Sequence, residues 1–162
     1  MYILSIETTG KYGSAALIDS DGRIVSKSSH EEMNHLKDIM FLADECLKAE
    51  GVSPASLDAV ASSIGPGSFT GIRIGVSTAR GVAEMLQIPC VAVSSLEGMA
   101  ALADEHVDES VRYFAPIINA RRGQLYGALY ERAHKGYKTV LSEKQYMIEE
   151  FMNELQKLDL NS

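Results

Sequence analysis

Apolar and polar residues fall in short blocks whose spacing assigns most of the secondary structure. Tyr2 to Ile6 is an apolar run ending in Glu7-Thr8-Thr9-Gly10, a strand entering a polar turn. Ser14 to Ile18 predicts a second strand, Asp19-Ser20-Asp21-Gly22 a hairpin turn, and Arg23 to Lys27 an alternating third strand. Leu36, Ile39, Met40, Ala43, Cys46 and Leu47 share one helical face, and Gly51 followed by Pro54 stops that helix. Phe41 and Leu42 lie off the stripe and widen its apolar surface. Leu57 to Ile64 predicts a fourth strand, closed by Gly65-Pro66-Gly67. A helix follows from about Phe69 to Leu86, and then a short apolar strand from Cys90 to Val93. Ser94 and Glu97 have the spacing of a capping box that opens a third helix.

The order is β-β-β-α-β-α-β-α, an α/β arrangement in which three antiparallel strands lead into two crossover units of a mixed sheet. It is the pattern of a ribonuclease-H-like or actin-like lobe, and it occupies residues 1–106. From 107 to 162 the order β-β-β-α recurs. Its parts are strands at Tyr113 to Ile118, Gln124 to Glu131 and Lys138 to Leu141, and a helical stripe of Met147, Phe151, Leu155 and Leu158. The second lobe is expected to be incomplete, without its later α/β units. An incomplete lobe leaves a sheet edge and apolar surface that favour a partner or self-association.

Gly67, Gly71, Gly75, Ala79 and Ala83 are four apart, so on a helix they make one ridge of minimal side chains. Glycine within a helix costs about 1 kcal/mol relative to alanine, so close approach of another backbone is expected to offset Gly75 and Gly81. Two readings stand side by side. Gly65-Pro66-Gly67-Ser68 is a phosphate loop with free amides at a helix N-terminus, or it is a tight turn before a packing surface. The P-loop pattern with its lysine is absent, which favours packing.

Composition narrows the partners. The net charge is −7 and 46% of residues are hydrophobic, which suits a folded chain and not one that binds nucleic acid alone. If RNA is handled, another subunit supplies most of the contact. Cys46 and Cys90 are expected to be small buried hydrophobes without a disulfide. The N-terminus lacks a basic region, no apolar run is long enough to span a bilayer, and a cytoplasmic protein is expected.

Leu-Ser-Ile-Glu-Thr-Thr (Leu4 to Thr9), Gly-Pro-Gly-Ser-Phe-Thr-Gly-Ile-Arg-Ile-Gly (Gly65 to Gly75), Val-Ser-Ser-Leu-Glu (Val93 to Glu97) and Ala-Arg-Arg-Gly (Ala120 to Gly123) resemble, in that order, the bacterial TsaB (YeaZ) family. The resemblance covers roughly the first 130 residues. It implies an actin-like ATPase-type fold and a part in making threonylcarbamoyladenosine at position 37 of tRNA. It further implies a non-catalytic subunit that pairs with its paralogue TsaD, the transferase, with an ATPase, TsaE, as the third member. Contact with tRNA is then only indirect, through the complex. The metal motif of TsaD, His-x-Glu-x-His, aligns with Ser95 to Met99. Ser95 and Met99 replace both histidines, so neither metal nor catalysis is expected. Asn119 stands where the family leads one to expect aspartate, and the family usually runs to greater length than this chain.

The candidate residues follow. Leu36, Ile39, Met40, Ala43, Gly71, Gly75, Thr78, Ala79 and Val82 are expected at a subunit interface of two helices from each partner, which a homodimer uses when the chain is alone. Thr8, Thr9, Gly65 and Gly67 mark a vestigial anion or nucleotide site, with no required cofactor and at most weak nucleotide binding. His30 and His35 do not face together on a helix and are read as solvated. Arg121 and Arg122, in a turn, are either solvated or contacts to RNA phosphate or an acidic partner. Rival activities are an actin-like phosphotransferase and a metallopeptidase.

Overall fold

A computed structural model describes residues 1–29 and 35–158, with the side chains of 29 and 35–37 excepted. His30 therefore lies outside the described residues, as do the side chains of His35 and Leu36. The chain divides into two compact units, Met1–Ser94 and Ser95–Ser162.

The first unit is a five-stranded mixed sheet with two helices on one face. Its strands are β1 (Ile3–Glu7), β2 (Ser14–Ile18), β3 (Ile24–Ser29), β4 (Ala59–Ser63) and β5 (Cys90–Val93), in the order β3-β2-β1-β4-β5. β1 to β3 pair antiparallel, and β4 and β5 join in parallel. The β2–β3 turn forms as its Asp-x-Asp-Gly sequence dictates. The Asp19 carboxylate accepts the amides of Asp21 at 2.9 Å and Arg23 at 3.0 Å, and Gly22 takes φ +78°.

Helices α1 (His35–Ala49) and α2 (Phe69–Leu86) make the crossovers. Their apolar faces meet Leu4, Ile6, Ala15, Leu17 and Val60 of the sheet in one core. On α1 the buried set is Ile39, Leu42, Ala43, Cys46 and Leu47. Leu42 is thus core, and Met40, expected on the buried stripe, is 49% exposed beside exposed Phe41. Met40 lies about 100° from Ile39, at the rim of the buried face beside Leu47, and the sheet covers the Leu42 side of the helix instead. Cys46 is buried as expected, with its thiol on the Ala15 carbonyl at 3.3 Å. Cys90 is exposed, contrary to expectation, because β5 is an edge strand whose four residues are all exposed.

The second unit holds α3 (Ser95–Asp104), β6 (Tyr113–Phe114), β7 (Ile117–Arg121), β8 (Gln124–Arg132), β9 (Tyr137–Met147) and α4 (Ile148–Lys157). β6 and β7 pair along one side of β8 and β9 along the other. The single strand expected from Tyr113 to Ile118 is broken at Ala115-Pro116, where proline has no amide for the ladder. β9 is longer than its apolar segment suggests, because its mostly exposed residues pair along the whole of β8. β8 is buried on both faces. Ala128 and Tyr130 pack with Leu96 and Ala100 of α3, while Leu125 packs with Phe151 of α4 and Tyr146. The α3 helix therefore groups with the strands that follow it.

One polar knot ties α3 to this sheet. Asp104 accepts from Arg132 and from the Tyr137 hydroxyl, the latter at 2.7 Å. The Arg132 hydrogen bond, then that of Tyr137, holds the Asp104 carboxyl below its ordinary range. Burial first, and the Asp104 bond second, push the Tyr137 phenol up to about 12.

Candidate functional site

The loop after β1 and the start of α2 meet at the C-terminal ends of the parallel strands, where α/β sheets place their ligands. Strand alternation points Thr8 toward α2 and Glu7 to the opposite face. On the helix side the Thr8 hydroxyl, 1% exposed, donates to the Gly71 carbonyl at 2.7 Å. The amide of Ser68 donates to the Thr9 carbonyl at 2.7 Å. The Ser68 hydroxyl accepts the Gly71 amide at 3.2 Å and caps α2.

These contacts require glycine. A Cβ on Gly67 would lie 2.6 Å from the Thr9 carbonyl oxygen. One on Gly71 would overlap the Thr8 carbonyl oxygen, and one on Gly75 the Thr8 hydroxyl. Gly65, at φ +100°, packs against Ile72, and the Gly65–Pro66 bond is cis. The close approach expected of the small ridge is real, and the backbone it meets is the chain's own.

On the other face the Glu7 carboxylate is held from both sides. One oxygen accepts the amide of Thr9 at 2.5 Å and its hydroxyl at 2.6 Å. The other accepts the hydroxyl of Ser63 on β4. Thr8, Thr9, Gly65 and Gly67, expected at an anion site, do come together. The donors of Thr9 and the Ser68 amide already serve acceptors within the chain, and a carboxylate occupies the same turn. The arrangement clamps a strand end to a helix start. It presents an arriving phosphate with negative charge and with those donors engaged.

The expected interface residues divide. Ile39, Ala43, Gly71, Gly75, Ala79 and Val82 are buried in this unit's own core and form no outer surface. Met40 is exposed and Thr78 half-buried. The outer face of α2 carries a shallow groove of about 340 Å³ lined by Thr70, Arg73, Ile74, Ser77 and Thr78. Phe69 stands 73% exposed at the start of α2, with the Arg73 guanidinium 5.6 Å from its ring centre. On α3, Ser95 is buried and Met99 exposed, so the two positions do not present a common pair. Arg121 and Arg122 lie at the tip of the β7–β8 hairpin, both exposed.

Sequence reasoning missed Glu7, Ser63 and Ser68 as the anchors of this junction. The signals were a charged residue ending an apolar strand, and a serine one position before a helix start.

Known proteins match this chain over most of its length. A family model described as TsaD, tRNA N6-adenosine threonylcarbamoyltransferase, matches residues 24–160. The chain is 34% identical to the tRNA threonylcarbamoyladenosine biosynthesis protein TsaB of Bacillus subtilis, over 98% of its own length and 68% of the relative. It is 36% identical to TsaB of Escherichia coli, over 84% of its own length and 58% of the relative. The chain thus spans roughly three fifths to two thirds of the length of these two TsaB proteins. The structure of YeaZ from Pseudomonas aeruginosa superposes with a TM-score of 0.82 at 28% identity, covering 91% of this chain and 68% of that one. The mixed sheet is of the actin-like ATPase type. On the breadth of these matches, the chain belongs to the TsaB (YeaZ) family.

Proposed function

We propose that this chain is a non-catalytic partner subunit in the threonylcarbamoyladenosine modification of tRNA, acting by binding a TsaD transferase with TsaE as a third member. The observation that carries the reading is the β1–α2 junction. In a fold that elsewhere handles phosphate, the Glu7 carboxylate and the Thr9–Ser68 contact fill the turn with internal bonds. Ser95 and Met99, in place of two histidines, supply no ligand pair for a hard or borderline metal. Both features suit a subunit that has kept the fold for pairing and needs no cofactor of its own.

The contact surface is assigned to the outer faces of α1 and α2, not to the buried ridge. Met40 and Phe41, about half exposed, and the groove from Thr70 to Thr78 supply apolar area on neighbouring helices. Alone, the chain uses the same faces to form a homodimer.

Reconstitution with tRNA, ATP, threonine, bicarbonate, the threonylcarbamoyl-adenylate synthase, TsaD and TsaE tests the reading. Omitting the chain should cut modification sharply, and the chain alone should turn over neither ATP nor peptide. Undiminished modification on omission would sink it. Ser77→Arg, on the exposed face of α2, should abolish co-purification with TsaD while leaving the melting temperature unchanged. Intact pairing in that variant would move the interface elsewhere.

A further inference from the structure

Among the described residues, positive backbone φ outside glycine occurs at three positions, Gln87, Arg121 and Arg122. Left-handed backbone is costly for any residue with a Cβ, and the chain otherwise meets such turns with glycine, as at Gly22, Gly51 and Gly136. Gln87 has an evident return. It caps α2, its amide bonding the carbonyls of Ala83 and Glu84 and its side-chain nitrogen bonding that of Glu84 at 2.7 Å.

For the arginines the return is hairpin closure through the backbone, with no side-chain bond among the described residues. Arg121 takes φ +67° and Arg122 φ +51°, followed by Gly123 at +74°. Arg122 and Gly123 form the two-residue turn between the paired Arg121 and Gln124, and Asn119 fixes the approach by accepting the Arg121 amide at 2.7 Å. The tip is thus a set, hydrogen-bonded structure. Both side chains are exposed, and neither guanidinium makes an ion pair or hydrogen bond among the described residues. Carboxylates are close at hand, since Gly123 lines one groove with Glu149, Glu150 and Glu154 of α4. Glu150 and Glu154 pair instead with Lys144 and Lys157.

Two planar guanidinium groups, exposed side by side on a hydrogen-bonded hairpin tip, match phosphodiester oxygens in geometry and charge. The geometry points to Arg121 and Arg122 as a direct contact to the sugar-phosphate backbone of RNA. This rests on the proposed role in tRNA modification, and it adds a local contact to a chain whose net charge of −7 prevents strong binding alone.

The test titrates the full chain with a fluorescent RNA stem-loop across a low-salt series. R121N/R122N removes both charges with a residue that tolerates left-handed backbone, so its melting temperature should hold or rise. The slope of log affinity against log salt should become shallower by about 1.5 to 2, the value for two lost phosphate contacts. R121K/R122K should retain the slope. Should the double asparagine variant fail to fold, R122G suits the same turn and should lose about one unit of slope. An unchanged slope, or no measurable binding by the wild-type chain at the lowest salt, overturns the proposal. So does polyglutamate binding as tightly as the RNA, which would assign the tip to an acidic protein. The omission experiment is independent of this one. Loss of modification on omission with an unchanged salt slope would overturn only the RNA contact, and the converse only the subunit role.

Discussion

The two faces of α2 use small residues for opposite reasons. On the inner face Gly71 and Gly75 have no room for a methyl group, because the carbonyl and hydroxyl of Thr8 fill the space. On the outer face nothing lies within 4 Å of where a Cβ on Gly81 would stand. The glycines look alike in sequence and cost the same in helix propensity. Only the inner pair gains a contact that offsets the cost, so a glycine stripe by itself does not tell an internal joint from an external one.

Substitutions separate the faces. Gly71→Ala should be the most damaging, because the Thr8 carbonyl cannot retreat without breaking the Thr8–Gly71 hydrogen bond. A loss of about 3 kcal/mol or more is expected in urea denaturation, the upper range for overpacking. A wild-type midpoint would mean that the helix shifts freely. Gly75→Ala displaces the Thr8 hydroxyl and so costs its hydrogen bond to Gly71, while the better helix former returns about 1 kcal/mol, so a net loss of about 1 to 2 kcal/mol is expected. Gly81→Ala should go the other way, stabilising by up to about 1 kcal/mol as a raised melting temperature. Destabilisation there would show that the outer face is already in contact with something. Ser77→Arg should stay within about 0.5 kcal/mol, as exposed substitutions do. Its effect belongs to pairing, read by co-purification.

The sequence carried the strand order of the first unit and the span of α2 because each rests on local periodicity and on punctuation by glycine and proline. It also showed that Gly71, Gly75 and Ala79 must face something close. What it could not show is the identity of that neighbour. Thr8 is more than 60 residues away, and the contact is fixed by strand pairing that no helical spacing encodes. The same gap explains α1. Met40 and Leu42 are equally apolar, and only the placement of the sheet decides which is core. Glu7 was hidden for a related reason, since its value lies in Ser63, reached only once β4 lies beside β1. The length of β9 was lost because a mostly polar strand gives a weak apolar signal.

The contrast between Cys46 and Cys90 has a practical side. One thiol is sealed in the core and the other stands open on β5, so a thiol-reactive dye should attach at a single place in the native protein. Energy transfer from that dye to one on TsaD or on RNA would report assembly without engineered cysteines. Pairing and RNA binding would then both be measurable on the wild-type sequence.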